Sequence, residues 1–213
     1  MKASPSIGLM VTLMMFPQVV ETIYSPALPH IAQGFGVATS TAAQTLSIYF
    51  IAFAIGVFFW GLLSDYIGRR RAMISGLVVY SLSVLCATMT ESFDVLMTLR
   101  ALSAFGAAVG SVVSQTMIRD AFTGSALGKV FAYMGIGISI SPVVGMISGG
   151  ILADHGGYPY VFTALSVLGF FLAGISLTTL AETMPDNYQK PKVLSTAKKL
   201  LTDACIWKNS LGS

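Results

Sequence analysis

The sequence predicts an all-α membrane protein with six transmembrane helices, and three observations carry that prediction. Hydrophobic residues make up 54% of the 213 positions and charged residues only 10%, whereas a soluble domain carries roughly a quarter charged residues. Six apolar stretches come close to or exceed the roughly 20 residues that a helix needs to span a bilayer. The twelve Lys and Arg residues fall almost wholly in alternate gaps between those stretches. A chain this poor in charge cannot coat a soluble surface, which excludes nucleic-acid-binding, disordered and secreted disulfide-rich classes. Continuous apolar runs, with no alternation of period two, exclude a closed β-barrel.

The spans are expected at 7–28, 42–63, 72–90, 94–118, 130–153 and 159–181, with polar breaks at 30–41, 64–71, 90–94, 119–129 and 154–159. Span one follows Lys2 and could pass for a secretion signal. Its length of about 20 residues, Glu21 within it and the lack of a small-residue cleavage site mark it as retained. Span five repeats Gly137, Ser141, Gly145 and Gly149 every four residues, a small-residue face for close helix packing. Pro142 interrupts its hydrogen-bond ladder and allows a bend. Residues 1–183 thus form a six-helix bundle, and 184–213 a basic cytoplasmic linker. In that linker Leu194, Ala197, Leu200 and Leu201 recur at helical spacing beside Lys198 and Lys199. Both an amphipathic surface helix and a solvated linker fit that spacing.

Charge placement predicts topology. Lys2, Arg69, Arg70, Arg71, Arg119, Lys129, Lys190, Lys192, Lys198, Lys199 and Lys208 share one side, and the intervening loops hold only Glu91, Asp94 and Asp154. The positive-inside rule then places both termini in the cytoplasm, as expected of a multi-pass protein of the cytoplasmic, or inner, membrane.

Two ionisable residues lie well inside spans, which makes each a functional candidate. Glu21 in span one and Arg100 in span four are each on the order of 10 Å below the outer boundary at 1.5 Å per residue. At equal depth they are expected to offset each other's desolvation. Ser103, Ser111, Ser114 and Gln115 fall on the Arg100 side of span four, and Met14, Pro17, Gln18, Tyr24 and Ser25 on the Glu21 side of span one. The expectation is a cavity for proton coupling or substrate, built on Glu21, Arg100, Gln18, Tyr24, Ser111 and Gln115. Cys86 and Cys205 form no CxxC pair, and His30 and His155 are isolated, so no metal site or cofactor is expected. The run Gly124-Ser125-Ala126-Leu127-Gly128-Lys129-Val130 is no phosphate loop: it lacks the spacing, the hydroxyl after Lys and a preceding strand. Transport would then run on a gradient, and no paired acids, nucleophile–base set or metal triad points to an enzyme.

The break after span two, Gly61-Leu62-Leu63-Ser64-Asp65-Tyr66-Ile67-Gly68-Arg69-Arg70-Arg71, resembles the signature loop of the major facilitator superfamily. Ile23-Tyr24-Ser25-Pro26-Ala27-Leu28-Pro29, Arg119-Asp120 and Ser141-Pro142-Val143-Val144-Gly145 through Gly149-Gly150 are similar to motifs of its drug:proton antiporter branch, of Bcr/CflA and EmrD type. The resemblance implies the N-terminal six-helix half of a major facilitator fold, present here as a half-length or truncated chain. It implies proton-coupled multidrug efflux, with Asp65, Arg69 and Asp120 as a cytoplasmic charge latch and Pro142, Gly145 and Gly149 as hinge and packing residues. Implied partners are the lipid bilayer, protons, small lipophilic or cationic substrates, and a second half or second copy. Alternatives are a metabolite or siderophore facilitator of the same superfamily, and a non-transporting membrane interaction protein or inactive remnant.

Overall fold

The structure is a computed structural model that describes residues 6–185. Among those residues it is entirely helical. Helix α1 (Ile7–Tyr24) passes through a 3-10 turn at Ser25–Ala27 into α2 (Leu28–Gly34), and α3 (Thr39–Ile67), α4 (Arg69–Ala87), α5 (Phe93–Ala121) and α6 (Gly124–Thr179) follow. Between their ends helices satisfy backbone donors and acceptors locally, which hydrocarbon demands because it offers no partner. The linker segment around Leu194, together with Lys2 and Cys205, lies outside the described residues.

Among the described residues five stretches are long and apolar enough to cross a membrane, the last of them 56 residues long. Spans five and six fall within that last stretch, α6, which is two helices joined across a kink inside the expected break. Gly156 and Gly157 leave helical geometry inside it, and Gly157 takes φ +66°, a conformation that favours glycine. The two arms, 124–155 and 158–179, each exceed the roughly 20 residues that a bilayer requires. Three of the other breaks are also shorter than expected, and the one expected at 90–94 keeps its length at 88–92. Helix α2 extends span one to Gly34, Gly68 alone separates α3 from α4, and only Phe122 and Thr123 separate α5 from α6. Polar side chains at a helix end do not stop it while its backbone bonds persist. Gly68 stops α3 by turning to φ +97° while its N–H still donates to the Ser64 carbonyl.

Helix α5 lies at the centre, packed on α3, α4 and α1, while α1 and α4 also pack against α6. Glycines set how closely the helices approach. A Cβ on Gly106 would lie 2.8 Å from the Gly76 carbonyl of α4, and one on Gly110 would lie 2.6 Å from the Leu13 carbonyl of α1. Leu13 is the residue four before Pro17, so its carbonyl has no intrahelical N–H to accept. Gly110 lets α5 settle against that uncapped carbonyl. The small-residue face of α6 is buried, with Gly145 against Thr22 and Gly149 against the Ile23 carbonyl. Outward faces are apolar, as lipid permits: Phe50, Ile51, Ile55 and Phe58 of α3 are all exposed.

Candidate transport site

Arg100 is fully buried on α5, and two tyrosine rings hold it. Its guanidinium carbon lies 3.7 Å from the Tyr24 ring centroid and 4.5 Å from that of Tyr49. Cation–π attraction of this kind strengthens when the cation is desolvated. Tyr24 is fixed in turn, because its hydroxyl donates to Thr45 Oγ1 at 2.8 Å and thereby ties α1 to α3. Among the described residues none of the three guanidinium nitrogens has a hydrogen-bond partner.

Glu21 is part-buried one helical turn before Tyr24 and accepts a hydrogen bond from Gln18 Nε2 at 3.1 Å. It lines a cavity of about 240 Å³ with Pro17, Gln18, Tyr49, Phe50 and Phe53. The expected pairing with Arg100 takes a different form, since no ion pair joins the two among the described residues. Residues 21 and 24 of α1 share a side, yet Tyr24 turns inward onto Arg100 and Glu21 turns toward the cavity. The Tyr49 ring is common to both surroundings, lying against the Arg100 guanidinium and lining the Glu21 cavity.

The polar stripe expected on span four divides. Ser103 and Ser114 are buried among the helices, and the Ser103 hydroxyl donates to the Arg100 carbonyl at 2.8 Å. Ser111 and Gln115 line a second cavity of about 260 Å³, with Val57, Val112, Thr116 and Arg119. Gln115 Nε2 lies 4.0 Å from the Met14 sulfur of α1.

At the other end of α5, Asp65, Arg69 and Asp120 come together. Arg69 Nε donates to Asp120 Oδ2 at 3.1 Å, and Nη1 donates to Asp65 and, at 2.9 Å, to Ser64 Oγ. Asp65 and Arg69 are one helical turn apart in sequence across the Gly68 turn, and Asp120 ends α5 beside them. Glu182 joins this cluster, and the sequence reading did not single it out. Its carboxylate accepts the backbone N–H groups of Arg69 at 3.0 Å, Arg70 at 3.2 Å and Met184 at 3.1 Å. Those first two N–H groups open α4, where donors have no intrahelical acceptor and the helix dipole favours an anion. The absence of any acid in the first turn of α4 was the available signal that one must come from elsewhere.

Residues 7–211 match the family model of the Major Facilitator Superfamily. The chain belongs to that superfamily. A transporter of Rickettsia bellii is 34% identical over 191 residues, which are 89% of this chain and 47% of that protein. Multidrug resistance protein D of Escherichia coli is 27% identical over 195 residues, covering 90% of this chain and 49% of that one. A bacterial homolog of the human lysosomal transporter Spinster, solved inward-facing and unoccupied, superposes with a TM-score of 0.73 at 18% identity, over 87% of this chain and 44% of its own. That likeness concerns the fold. The chain spans about half the length of the curated relatives it matches. As a major facilitator protein it is a multi-pass membrane protein, and its described helices carry the superfamily's signature loop at the α3–α4 turn.

Proposed function

We propose that this chain forms the cavity-bearing bundle of a proton-coupled exporter of small lipophilic or cationic compounds in the cytoplasmic membrane. It crosses the bilayer six times, the two arms of α6 counting separately, with both ends on the cytoplasmic side. The observation that carries this reading is Glu21 beside Tyr49, Phe50 and Phe53 in one cavity. An organic cation gains there from a carboxylate and from ring faces together. A lone carboxylate binds either that cation or a proton, and this exclusion is the chemistry of exchange. Arg100, buried against the Tyr49 ring that also lines this cavity, takes a proton-coupling role in this reading. The name of the Escherichia coli relative, a multidrug resistance protein, supports the substrate class.

In this reading the Asp65–Arg69–Asp120 cluster latches one transport state, and the Pro142 bend with the Gly145 and Gly149 contacts lets α6 rock against α1. Purified chain should bind tetraphenylphosphonium saturably, and binding should weaken as pH falls and protons occupy Glu21. Glu21→Gln should reduce affinity about tenfold, equivalent to roughly 1.4 kcal/mol, and remove the pH dependence. Unchanged affinity with unchanged pH dependence in Glu21→Gln would overturn the proposal.

A further inference from the structure

The second cavity, between α3 and the latch end of α5, is lined by an exposed cation that makes no ion pair among the described residues. Arg119 and Asp120 are consecutive, so on a helix they point about 100° apart. Asp120 turns to Arg69, and Arg119 turns into the groove beside Val57. Among the described residues Arg119 makes no ion pair, and its guanidinium carbon lies 5.8 Å from the Phe131 ring. No Asp or Glu lines the groove.

Ser111, Gln115 and Arg119 recur every four residues and form one line along α5. The Thr116 hydroxyl donates to the Val112 carbonyl at 3.0 Å, which leaves Ser111, Gln115 and Arg119 as the donors. Gln115 spends one N–H on a thioether, a weak acceptor. Through that contact the inner end of the groove reaches Met14, about 10 Å along α1 from Glu21 at 1.5 Å per residue. A planar guanidinium followed inward by an amide and a hydroxyl, between two valine walls, matches a carboxylate carried on an apolar body. Gln115 and Ser111 lie one and two turns deeper than Arg119, a depth suited to a molecule inside the bundle.

We propose that this groove is a subsite for a small organic carboxylate, with Arg119 pairing the carboxylate and Gln115 and Ser111 directing it inward. The subsite deepens the export reading by giving the anionic end of a substrate a place; its occupancy does not depend on that reading. The test is equilibrium dialysis of radiolabelled benzoate against the purified chain in phosphatidylcholine nanodiscs, with empty nanodiscs as the blank. Saturable binding is expected, weakened about tenfold by Arg119→Gln through loss of a charge-assisted pair, with Arg119→Lys retaining part of it and benzamide failing to compete. Equal binding by Arg119→Gln, competition by benzamide, or no saturable binding would overturn the proposal. So would loss of binding when phosphatidylglycerol enters the nanodisc, which would assign the groove to a lipid phosphate.

A second measurement guards against misfolding of the variant. With Cys86 and Cys205 replaced by serine, Ser111→Cys should react faster with an anionic methanethiosulfonate than with a cationic one. Arg119→Gln should erase that preference, and a preference for the cationic reagent would sink the idea. Neither measurement uses transport or tetraphenylphosphonium, so failure of the export reading leaves both interpretable.

Discussion

The two buried arginines behave oppositely because their surroundings do. Arg69 bridges Asp65 and Asp120, so removing it takes a shared cation from two carboxylates. Arg100 rests on tyrosine rings and satisfies no carboxylate. Breaking a buried pair by removing one partner costs about 3–5 kcal/mol, whereas an apolar residue in place of Arg100 gives up cation–π attraction but also removes the cost of desolvating a guanidinium without a carboxylate. Arg69→Met should therefore lower the apparent Tm in detergent markedly, and Arg100→Met should leave it unchanged or raise it. A marked loss in Arg100→Met would mean that the charge, and not only the stem, holds α5 to α1 and α3. Glu182→Gln should cost about 1 kcal/mol, since a neutral amide oxygen still accepts from the opening turn of α4 but no longer favours its dipole. The position of Glu182 was hidden in sequence because its partners lie more than a hundred residues earlier, and no local spacing encodes such a contact. The four-residue interval from Asp65 to Arg69, by contrast, is local and readable directly.

Helix contacts turn on adjacent glycines that look alike in sequence. A Cβ on Gly149 would run into the Ile23 carbonyl of α1, while one on Gly150 would meet nothing within 4 Å. Gly149→Ala should destabilise the bundle by about 1–3 kcal/mol, the usual penalty of overpacking. Gly150→Ala should be neutral or stabilising by up to about 1 kcal/mol through helix propensity. Thermal unfolding of the two variants in one detergent checks the pair, and equal losses would contradict the packing. The four-residue repeat of small residues made this face of α6 readable in the sequence, because packing of that kind is periodic. The break between spans five and six was readable in place, since the kink at Gly156 and Gly157 falls within 154–159, but not in length. Asp154, His155 and the Gly156–Gly157 pair mimic a loop in composition, yet two glycines suffice to redirect a helix without an intervening segment.

For the whole molecule, the apolar lengths and the one-sided basic residues predict the path through the bilayer. Reporter fusions at Ala38, Ser92 and Gly157 should lie outside, and fusions at Arg70, Ser125 and Thr196 in the cytoplasm; reversal at two of these points would break the topology. The cavity was legible only in part. Glu21, Gln18, Ser111 and Gln115 were marked by polarity inside apolar runs, but Tyr49, Phe50 and Phe53 were not, because aromatic residues in a span look like lipid-facing surface. Those rings give Glu21 its character, and the central claim is that this acid exchanges a proton for an organic cation. Its most direct test is proton release on adding tetraphenylphosphonium to the purified chain in weakly buffered detergent at a pH where Glu21 is protonated. The account predicts close to one proton released per cation bound, and none from Glu21→Gln. Saturable binding without proton release from the unaltered chain would contradict it.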